Sequence, residues 1–361
     1  TIDYYTISTP DQLAGFAQSF IKTKSESVDY SNATIKLTDD IDLGTAYWTP
    51  IGQNSEDFTG VFDGQGYTIY NLKVNVKNGS SNAGFFGVLT GTVKNVIFDG
   101  VSINSIGNGA GTVAGSIFNT GIIEEVTVKN AKIEGNRRLG GIAGYVYGTI
   151  KNCNVENIEL TATPDQLSGS FDNGDKVGGI VGLWAKDNGE SHTFSGNTVK
   201  NATIKGFRDL GGIAGAAKGT GFTNNNVEGA TIVADQVTGY YAGKDINIHP
   251  ILGNILEGER DNSNSQSDVE LSVIVGSDAT LSSALTLKHV PTILLAENAI
   301  IEGTFRPNHG VSIKSLNPEK KAMIKGRVNI DGYADGIFFK DIKFDINEDS
   351  KVKKSFTGAS Y

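Results

Sequence analysis

One recurring pattern constrains the fold of this chain more than any other feature. Five segments align residue by residue without gaps: Val93–Ile103, Ile123–Ile133, Ile150–Leu160, Phe194–Ile204 and Phe222–Ile232, with a partial copy at Ile69–Val74. A glycine-rich segment precedes each full copy, at residues 83–87, 111–115, 140–144, 178–182 and 211–215. The copies recur every 27 to 30 residues, except for a step of 44 between Val155 and Val199. A fixed period of this length is typical of repeat architectures.

Apolar residues fall in two columns of the aligned copies, and polar residues alternate with them. The first column holds Ile69, Phe98, Val128, Val155, Val199 and Val227, and the second holds Ile103, Ile133, Leu160, Ile204 and Ile232. Such alternation predicts short strands with one buried face. The column between them holds Asn71, Gly100, Asn130, Asn157, Asn201 and Gly229. Because Asn and Gly tolerate left-handed backbone, it predicts one bend in every copy.

A unit this short cannot bury its apolar face alone, but stacked copies bury one another. Burying one Val or Ile side chain contributes about 1.5–3 kcal/mol. We therefore predict an all-β fold, a parallel β-helix whose equivalent residues lie about 4.7–4.9 Å apart. Parallel crossovers are almost always right-handed, which predicts a right-handed helix. The long step leaves residues 162–175 to project as a loop.

Two polar columns of the alignment alternate in charge, which supports the stacking independently. Asp99, Lys129, Glu156, Lys200 and Glu228 form one of these columns, and Lys94, Glu124 and Lys151 form the other. Stacked like charges destabilise a sheet, whereas opposite charges contribute roughly 0.2–1 kcal/mol per pair. We expect members of each column to be neighbours in adjacent turns.

The two ends of the chain differ from the repeats. Residues 10–22 are predicted to form a capping helix, because Thr9–Gln12 resembles a capping box and Leu13, Phe16, Ala17, Phe20 and Ile21 share one helical face. The glycine signature ends near Leu256, and residues 257–268 are polar. The prediction is a β-helix over 1–256, a linker or loop over 257–268, and a second β-rich, pectin-lyase-like section over 269–361 with shorter turns.

Several motifs resemble a known repeat family. The Gly-Gly-Ile-Ala-Gly segments occur together with Phe58–Leu72, Asp40–Leu43 and Trp48–Gly52. In this order they resemble the GLUG-motif repeat proteins of bacterial cell surfaces, which include adhesins and the non-catalytic region of immunoglobulin A proteases. The resemblance covers about residues 1–250. It implies a β-helical fold and a surface location, and it implies far less about activity.

Catalytic signatures are weak in this sequence. The four histidines, His192, His249, His289 and His309, are far apart, so the His-Glu-x-x-His zinc motif is absent. A polysaccharide lyase or hydrolase needs clustered acids. The candidates are Asp39/Asp40/Asp42, Asp172/Asp175 and Asp345/Glu348/Asp349, and each set is better explained as solvated turn residues. Cys153 shares the column of Val96 and Val126, which predicts a buried thiol. We predict no catalytic residue, metal or cofactor.

A ligand-binding surface is the stronger possibility. Arg137, Arg138, Lys176 and Arg208 occupy equivalent turns before successive Gly-Gly steps, where they would form a shallow cationic strip. Tyr145, Tyr147, Phe118 and Trp184 follow the glycine strands, and exposed aromatic rings stack on sugars. The alternatives are solvated turn residues for the cations and core packing for the aromatics, Trp184 above all.

Charge and composition narrow the function class further. The net charge is −9 with dispersed basic residues, which excludes a nucleic-acid binder. No apolar run reaches the ~18 residues of a membrane span. The chain begins at Thr1, as it would after removal of a signal peptide or in a shortened chain. We predict a non-catalytic extracellular or cell-surface module that recognises a host or bacterial glycan or protein, or serves as a stalk. The alternative is a carbohydrate-active enzyme or glycan-binding module with its site in the second section.

Overall fold

A computed structural model describes residues 3–345 except 21–29, 32, 54–56, 119, 164–175, 187–190, 238–245, 258, 260, 288–289, 308 and 329–335. The chain divides into two compact units. The first contains Thr1–Ile232 and His249–Glu270, and the second contains Val233–Ile248 and Leu271–Tyr361. Both are built almost entirely from parallel strands. The predicted loop at 162–175 falls largely outside the described residues, as do Ile21, Asp172, Asp175, His289, Glu348 and Asp349.

The first unit contains four parallel sheets. Sheet 1 comprises Asp3–Ile7, Ala33–Leu37, Val61–Asp63, Thr92–Lys94, Ile122–Glu124, Thr149–Lys151, Phe194–Ser195 and Phe222–Thr223. Sheet 2 comprises Ile41–Asp42, Thr68–Tyr70, Lys73–Val76, Ile97–Ser105, Thr127–Gly135, Asn154–Ala162, Thr198–Gly206, Asn226–Glu228 and Ser265–Ser267. Sheet 3 comprises Asn82–Ala83, Gly109–Gly111, Leu139–Gly140, Lys176–Gly178 and Asp209–Gly211. Sheet 4 comprises Phe86–Leu89, Ala114–Ile117, Ala143–Val146, Val181–Ala185, Ala214–Lys218 and Leu252–Glu257.

Each repeat passes through these sheets in the same order. One repeat, for example, runs through Thr92–Lys94, Ile97–Ser105, Gly109–Gly111 and Ala114–Ile117 before Ile122–Glu124 returns to sheet 1. The neighbour of each strand therefore comes from the next repeat. This connectivity is consistent with a β-helix. Ser265–Ser267, in the segment predicted as a linker or loop, pairs with Asn226–Glu228.

The apolar columns stack as predicted from the alignment. Phe98 pairs with Val128, Val128 with Val155, and Val155 with Val199. All of these side chains are buried. The bend column is also confirmed: Asn71, Gly100, Asn130, Asn157, Asn201 and Gly229 all have φ between 51° and 75°. The exposed asparagine amides bridge turns, since Asn201 Nδ2 donates to Asn157 Oδ1 over 3.2 Å.

The charged columns are likewise neighbours in adjacent turns. Asp99 pairs with Lys129, and Lys129 pairs with Glu156. In the second column Glu124 lies between Lys94 and Lys151, and Lys151 Nζ is 2.8 Å from Glu124 Oε2. The alternation of charge therefore coincides with physical contact.

Buried asparagines extend an apolar column inside the first unit. Val96, Val126 and Cys153 are followed by Asn197 and Asn225, all fully buried. Asn197 Oδ1 accepts from the Cys153 backbone N–H over 3.0 Å, and Asn197 Nδ2 donates to Asn225 Oδ1 over 2.9 Å. Because each amide bonds to the next turn, these polar groups are buried without losing their hydrogen bonds.

The capping helix covers the first turns of the unit. It spans Pro10–Gln18, shorter than the predicted 10–22, with Thr9 accepting from the Gln12 backbone N–H. The side chain of Gln12 accepts from the backbone N–H of Ser8 over 2.7 Å, one residue before the partner in a standard capping box. Leu13 and Phe16 are buried, and the ring of Phe16 lies against Phe58 at 5.9 Å.

The second unit has shorter repeats. Its first sheet joins the Glu270–Val275 strand, which begins at the unit boundary, to Thr292–Leu295, Val311–Ser315 and Ile337–Lys340, and its second comprises Ile300–Phe305, Met323–Val328 and Lys343–Asp345. A short helix, Asp278–Ala284, starts with a capping box at Ser277. Val273 pairs with Ile293 and Ile293 with Ile313, a smaller step than in the first unit. Two further strands, Thr231–Gln236 and Asn247–His249, lie where the chain passes between units.

The buried asparagine column allows a test of whether the hydrogen bonds of its amides stabilise the fold. Asn197→Val should lower the free energy of unfolding by about 2–4 kcal/mol, because it removes the acceptor of the buried Cys153 N–H and the amide donor that bonds to Ile150 C=O and to Asn225 Oδ1. Cys153→Val, in the same column, is the matched control and should change it by less than about 1 kcal/mol. Chemical denaturation measures both variants. Equal effects would contradict the role given to the amide.

The charge column gives a test of stacking. Glu124→Lys should place three lysines in consecutive turns and lower stability by about 1 kcal/mol, an effect that added salt weakens. Glu124→Gln, which removes the attraction without adding repulsion, should cost less. A second change, Lys151→Glu, should recover part of the loss. Thermal unfolding at low and high salt measures these differences, and a salt-independent cost for Glu124→Lys would refute the interpretation.

Candidate ligand-binding surface

Two arginines of the predicted strip lie together at one turn of the first unit. Arg138 precedes the Leu139–Gly140 strand and has a φ of +36°. Its guanidinium carbon lies 4.7 Å from the centre of the Tyr145 ring, a cation–π distance. Arg138 Nη1 also donates to the carbonyl of Asn108 over 3.3 Å, and Arg137 Nη1 is 3.5 Å from Asn108 Oδ1. The two guanidinium groups are thus tied to the preceding repeat.

Three half-buried aromatic rings extend this cluster. The hydroxyl of Tyr145 donates to that of Tyr147 over 2.9 Å, and the two rings are 5.0 Å apart. Phe118 meets Tyr145 edge-on at 5.9 Å and stacks with Tyr147 at 6.3 Å. Trp184 is fully buried instead, and its Nε1 donates to Gly148 O. The aromatics nearest to Arg138 therefore remain partly open to solvent.

The other cations of the predicted strip lie in different surroundings. Lys176 lies one turn beyond Arg138, since Leu139 pairs with Val177. Its side chain is 14% exposed and lies 3.8 Å from the 1% exposed carboxylate of Asp209. Asp209, rather than Arg208, pairs with Lys176 across sheet 3. Arg208 is half-buried one residue earlier. The structure thus groups Arg137, Arg138, Tyr145 and Tyr147, and it pairs Lys176 with an acid.

Asp39, Asp40 and Asp42 use their carboxylates to accept hydrogen bonds from nearby backbone and side-chain groups. Asp40 Oδ1 accepts from the Thr68 N–H, and Asp42 Oδ1 accepts from Asn71 Nδ2 and the Gly44 N–H, each over 2.8 Å. The hydrogen bonds from Asn71 and Gly44 lower the pKa of Asp42. Asp39 Oδ1 accepts from the next N–H. Among the described residues no three His, Cys, Asp or Glu side chains group where they could hold a metal ion.

Cys153 is buried as predicted. Its Sγ lies 3.4 Å from the carbonyl of Lys151, and the side chain is fully enclosed. Burial raises the pKa of the thiol to about 12. The fraction of thiolate at neutral pH is therefore very small.

The buried asparagines were missed by sequence reasoning, although the alignment held a signal. Asn197 and Asn225 occupy the column in which earlier copies have Val or Cys. A polar residue that repeats at a core position is unusual, and a buried partner in the next turn explains it.

The comparisons with known proteins give partial similarities. No family model matches the chain. Over 109 residues, 28% of the chain, the sequence is 35% identical to Halomucin of Haloquadratum walsbyi. That match covers 1% of Halomucin, so the chain spans only a small part of the length of this relative. The likeness to the GLUG-motif family therefore stays a resemblance.

Two solved structures align with most of this chain at low TM-scores. One is a chain of Bacteroides ovatus assigned provisionally as an immunoglobulin A1 protease, with a TM-score of 0.40, 18% identity, and coverage of 94% of this chain and 83% of that one. The other is the SRRP of L. reuters 100-23, with a TM-score of 0.23, 12% identity, and coverage of 96% and 98%. In the described part of the chain, no helix is long and apolar enough to cross a membrane.

The burial of Cys153 predicts an unreactive thiol. A disulfide exchange reagent at about pH 8 should label the folded protein far more slowly than the protein unfolded in guanidinium, because the reactive species is the thiolate. The absorbance of the released thiol measures both rates. Labelling of the folded chain at the rate of the unfolded chain would contradict the burial and the raised pKa.

Proposed function

We propose that this chain is a non-catalytic module of an extracellular or cell-surface protein, acting as an adhesin-like recognition module or stalk. Its fold is a right-handed parallel β-helix with an N-terminal capping helix, followed from residue 269 by a section with shorter turns. The observation that carries this proposal is the register of successive repeats, in which Phe98, Val128, Val155 and Val199 pair in sequence.

The register supports such a role for a physical reason. Each repeat rests on its neighbours, so added repeats lengthen the protein without a new core. The outward columns then present one side chain from every turn at a spacing of about 4.8 Å. A surface held by a continuous hydrogen-bonded backbone keeps these groups in place for a ligand.

The cluster of Arg137, Arg138, Tyr145 and Tyr147 is the recognition surface that we propose. It combines a positive charge with aromatic rings that are partly open to solvent. We include Lys176 and Arg208 only as neighbours of this surface, since Lys176 is paired with Asp209 and Arg208 lies one residue before that acid. The partner is a glycan or protein of a host or bacterial surface, because guanidinium groups bind carboxylates and aromatic rings pack on sugars.

A glycan-binding module, or a carbohydrate-active enzyme, is the second candidate function. The half-buried rings of Phe118 and Tyr147, which adjoin Tyr145 beneath Arg138, favour glycan binding over a purely structural stalk. An enzyme of this class would release reducing ends or unsaturated products from a polysaccharide. Clear turnover of a polysaccharide in either assay would overturn the non-catalytic proposal.

Two substitutions test the recognition surface. Arg138→Asn removes the guanidinium while keeping a residue that tolerates positive φ, and Tyr147→Ala removes an aromatic ring. Each should weaken binding to glycan or surface-protein arrays by about tenfold. Arg306→Ala, at an exposed arginine of the second unit, is the control and should leave binding unchanged. Native-like binding by both variants would place recognition elsewhere.

A further inference from the structure

An open groove lies on the outer face of sheet 2, and its lining shares no residue with the arginine–tyrosine cluster. Its floor is formed by outward side chains of the strands Lys73–Val76, Ile97–Ser105 and Thr127–Gly135, and Tyr47 forms one wall. The volume of the groove is about 420 Å³. Ligand sites in proteins commonly measure about 300–1,000 Å³. The groove is therefore large enough for a small ligand or for part of a chain.

The outward side chains of the three strands form two rows of polar groups across the floor. Lys73 pairs with Ser102, and Ser102 pairs with Lys132. Two residues further along each strand, Asn75 pairs with Asn104, and Asn104 pairs with Glu134. Members of a row are about 4.8 Å apart. This spacing is close to the length of one sugar residue in an extended oligosaccharide, so successive sugar residues would each meet a polar group from a successive strand.

Tyr47 is held in its exposed position by the residue that follows it. Its side chain is 71% exposed. The backbone N–H of Trp48 donates to the carbonyl of Lys73 over 2.7 Å, and Trp48 Nε1 donates to Phe85 O over 2.9 Å. The Trp48 ring also stacks on Phe85 at 4.8 Å with a 6° tilt. Because Trp48 points inward, the ring of Tyr47 points outward at the edge of the groove.

The charges of the groove favour an acidic ligand. Lys132 Nζ lies 2.9 Å from Glu134 Oε1, so these two charges compensate each other. Lys73 adds a positive charge on the floor, so the residues that line the groove carry a net charge of about +1, and Lys73 also interacts with the carboxylate of Asp42 outside the lining. A carboxylate beside Lys73 would gain a favourable interaction there.

We propose that this groove binds a linear oligosaccharide that carries carboxylate groups. One sugar ring packs on the face of Tyr47, hydroxyl groups hydrogen-bond to Asn75, Ser102 and Asn104, and a carboxylate lies against Lys73. The site extends the recognition role proposed above and is separate from the cluster around Arg138. An aromatic ring beside several amide and hydroxyl groups is the combination that sugars require, since their rings have apolar faces and polar edges.

The test begins with an array of hexuronate-bearing, sialylated and neutral oligosaccharides probed with the full chain. The strongest acidic ligand is then titrated calorimetrically, together with its carboxyl-reduced counterpart. Tyr47→Ala should weaken binding of the acidic ligand by about tenfold or more. Lys73→Gln should remove the preference for the acidic ligand over the reduced one. Tyr4→Ala, at a tyrosine that is 66% exposed outside the groove, and Lys129→Gln, elsewhere on sheet 2, are the controls.

The outcomes distinguish failure of the groove proposal from failure of the recognition function proposed above. Acidic binding that survives both groove substitutions but falls in Arg138→Asn would refute the groove and support recognition through the other cluster. Equal affinity for the acidic and reduced ligands would refute the role of Lys73. Absence of binding to any oligosaccharide would refute the groove, while adhesion to surface proteins would then still support the recognition module.

Discussion

The in-register hydrogen bonding between successive repeats is the constraint on which the rest of the first unit depends. It is fixed where two backbones come too close for any side chain. A Cβ on Gly111 would overlap the backbone of Ala143, and one on Gly140 would lie 2.6 Å from Val181 Cα. Glycine is required at such contacts because every other residue would push adjacent turns apart. The recurring Gly-Gly segments therefore set the close spacing of sheets 3 and 4, and the other columns follow from it.

The interior shows two ways of filling a stacked column. Phe98, Val128 and Val155 bury apolar surface, whereas Asn197 and Asn225 connect turns through their amides. The amide column limits the register more strictly than the apolar one. A strand that slips by two residues can keep a valine packed against another apolar side chain, but an asparagine shifted by two residues loses its partner and remains buried. The polar column thus contributes to the specificity of pairing as well as to stability.

On the outer surface, the same register brings polar and aromatic side chains of successive repeats together. In sheet 2 it places Lys73, Ser102 and Lys132 in one row, and near sheet 4 it places Arg138 over Tyr145. The two regions differ in what they offer. The groove beside Tyr47 is open and polar, while the cluster around Arg138 is half-buried and already engaged with Asn108. A ligand of the groove meets solvated groups, whereas a ligand of the cluster competes with existing contacts.

The sequence by itself determined the repeat, the buried columns, the left-handed bends and the burial of Cys153, because each depends on residue type at a fixed period. It also determined the capping helix, apart from its last turn and the partner of Gln12. The charge columns of sheets 1 and 2 also followed from the alignment, but only the tertiary structure decided which outward groups meet elsewhere. Lys176 faces Asp209 rather than Arg208, and Tyr47 borders a floor drawn from three repeats. These encounters depend on where the turns outside the aligned copies place their residues, and the alternation of polar and apolar residues within the strands does not encode that.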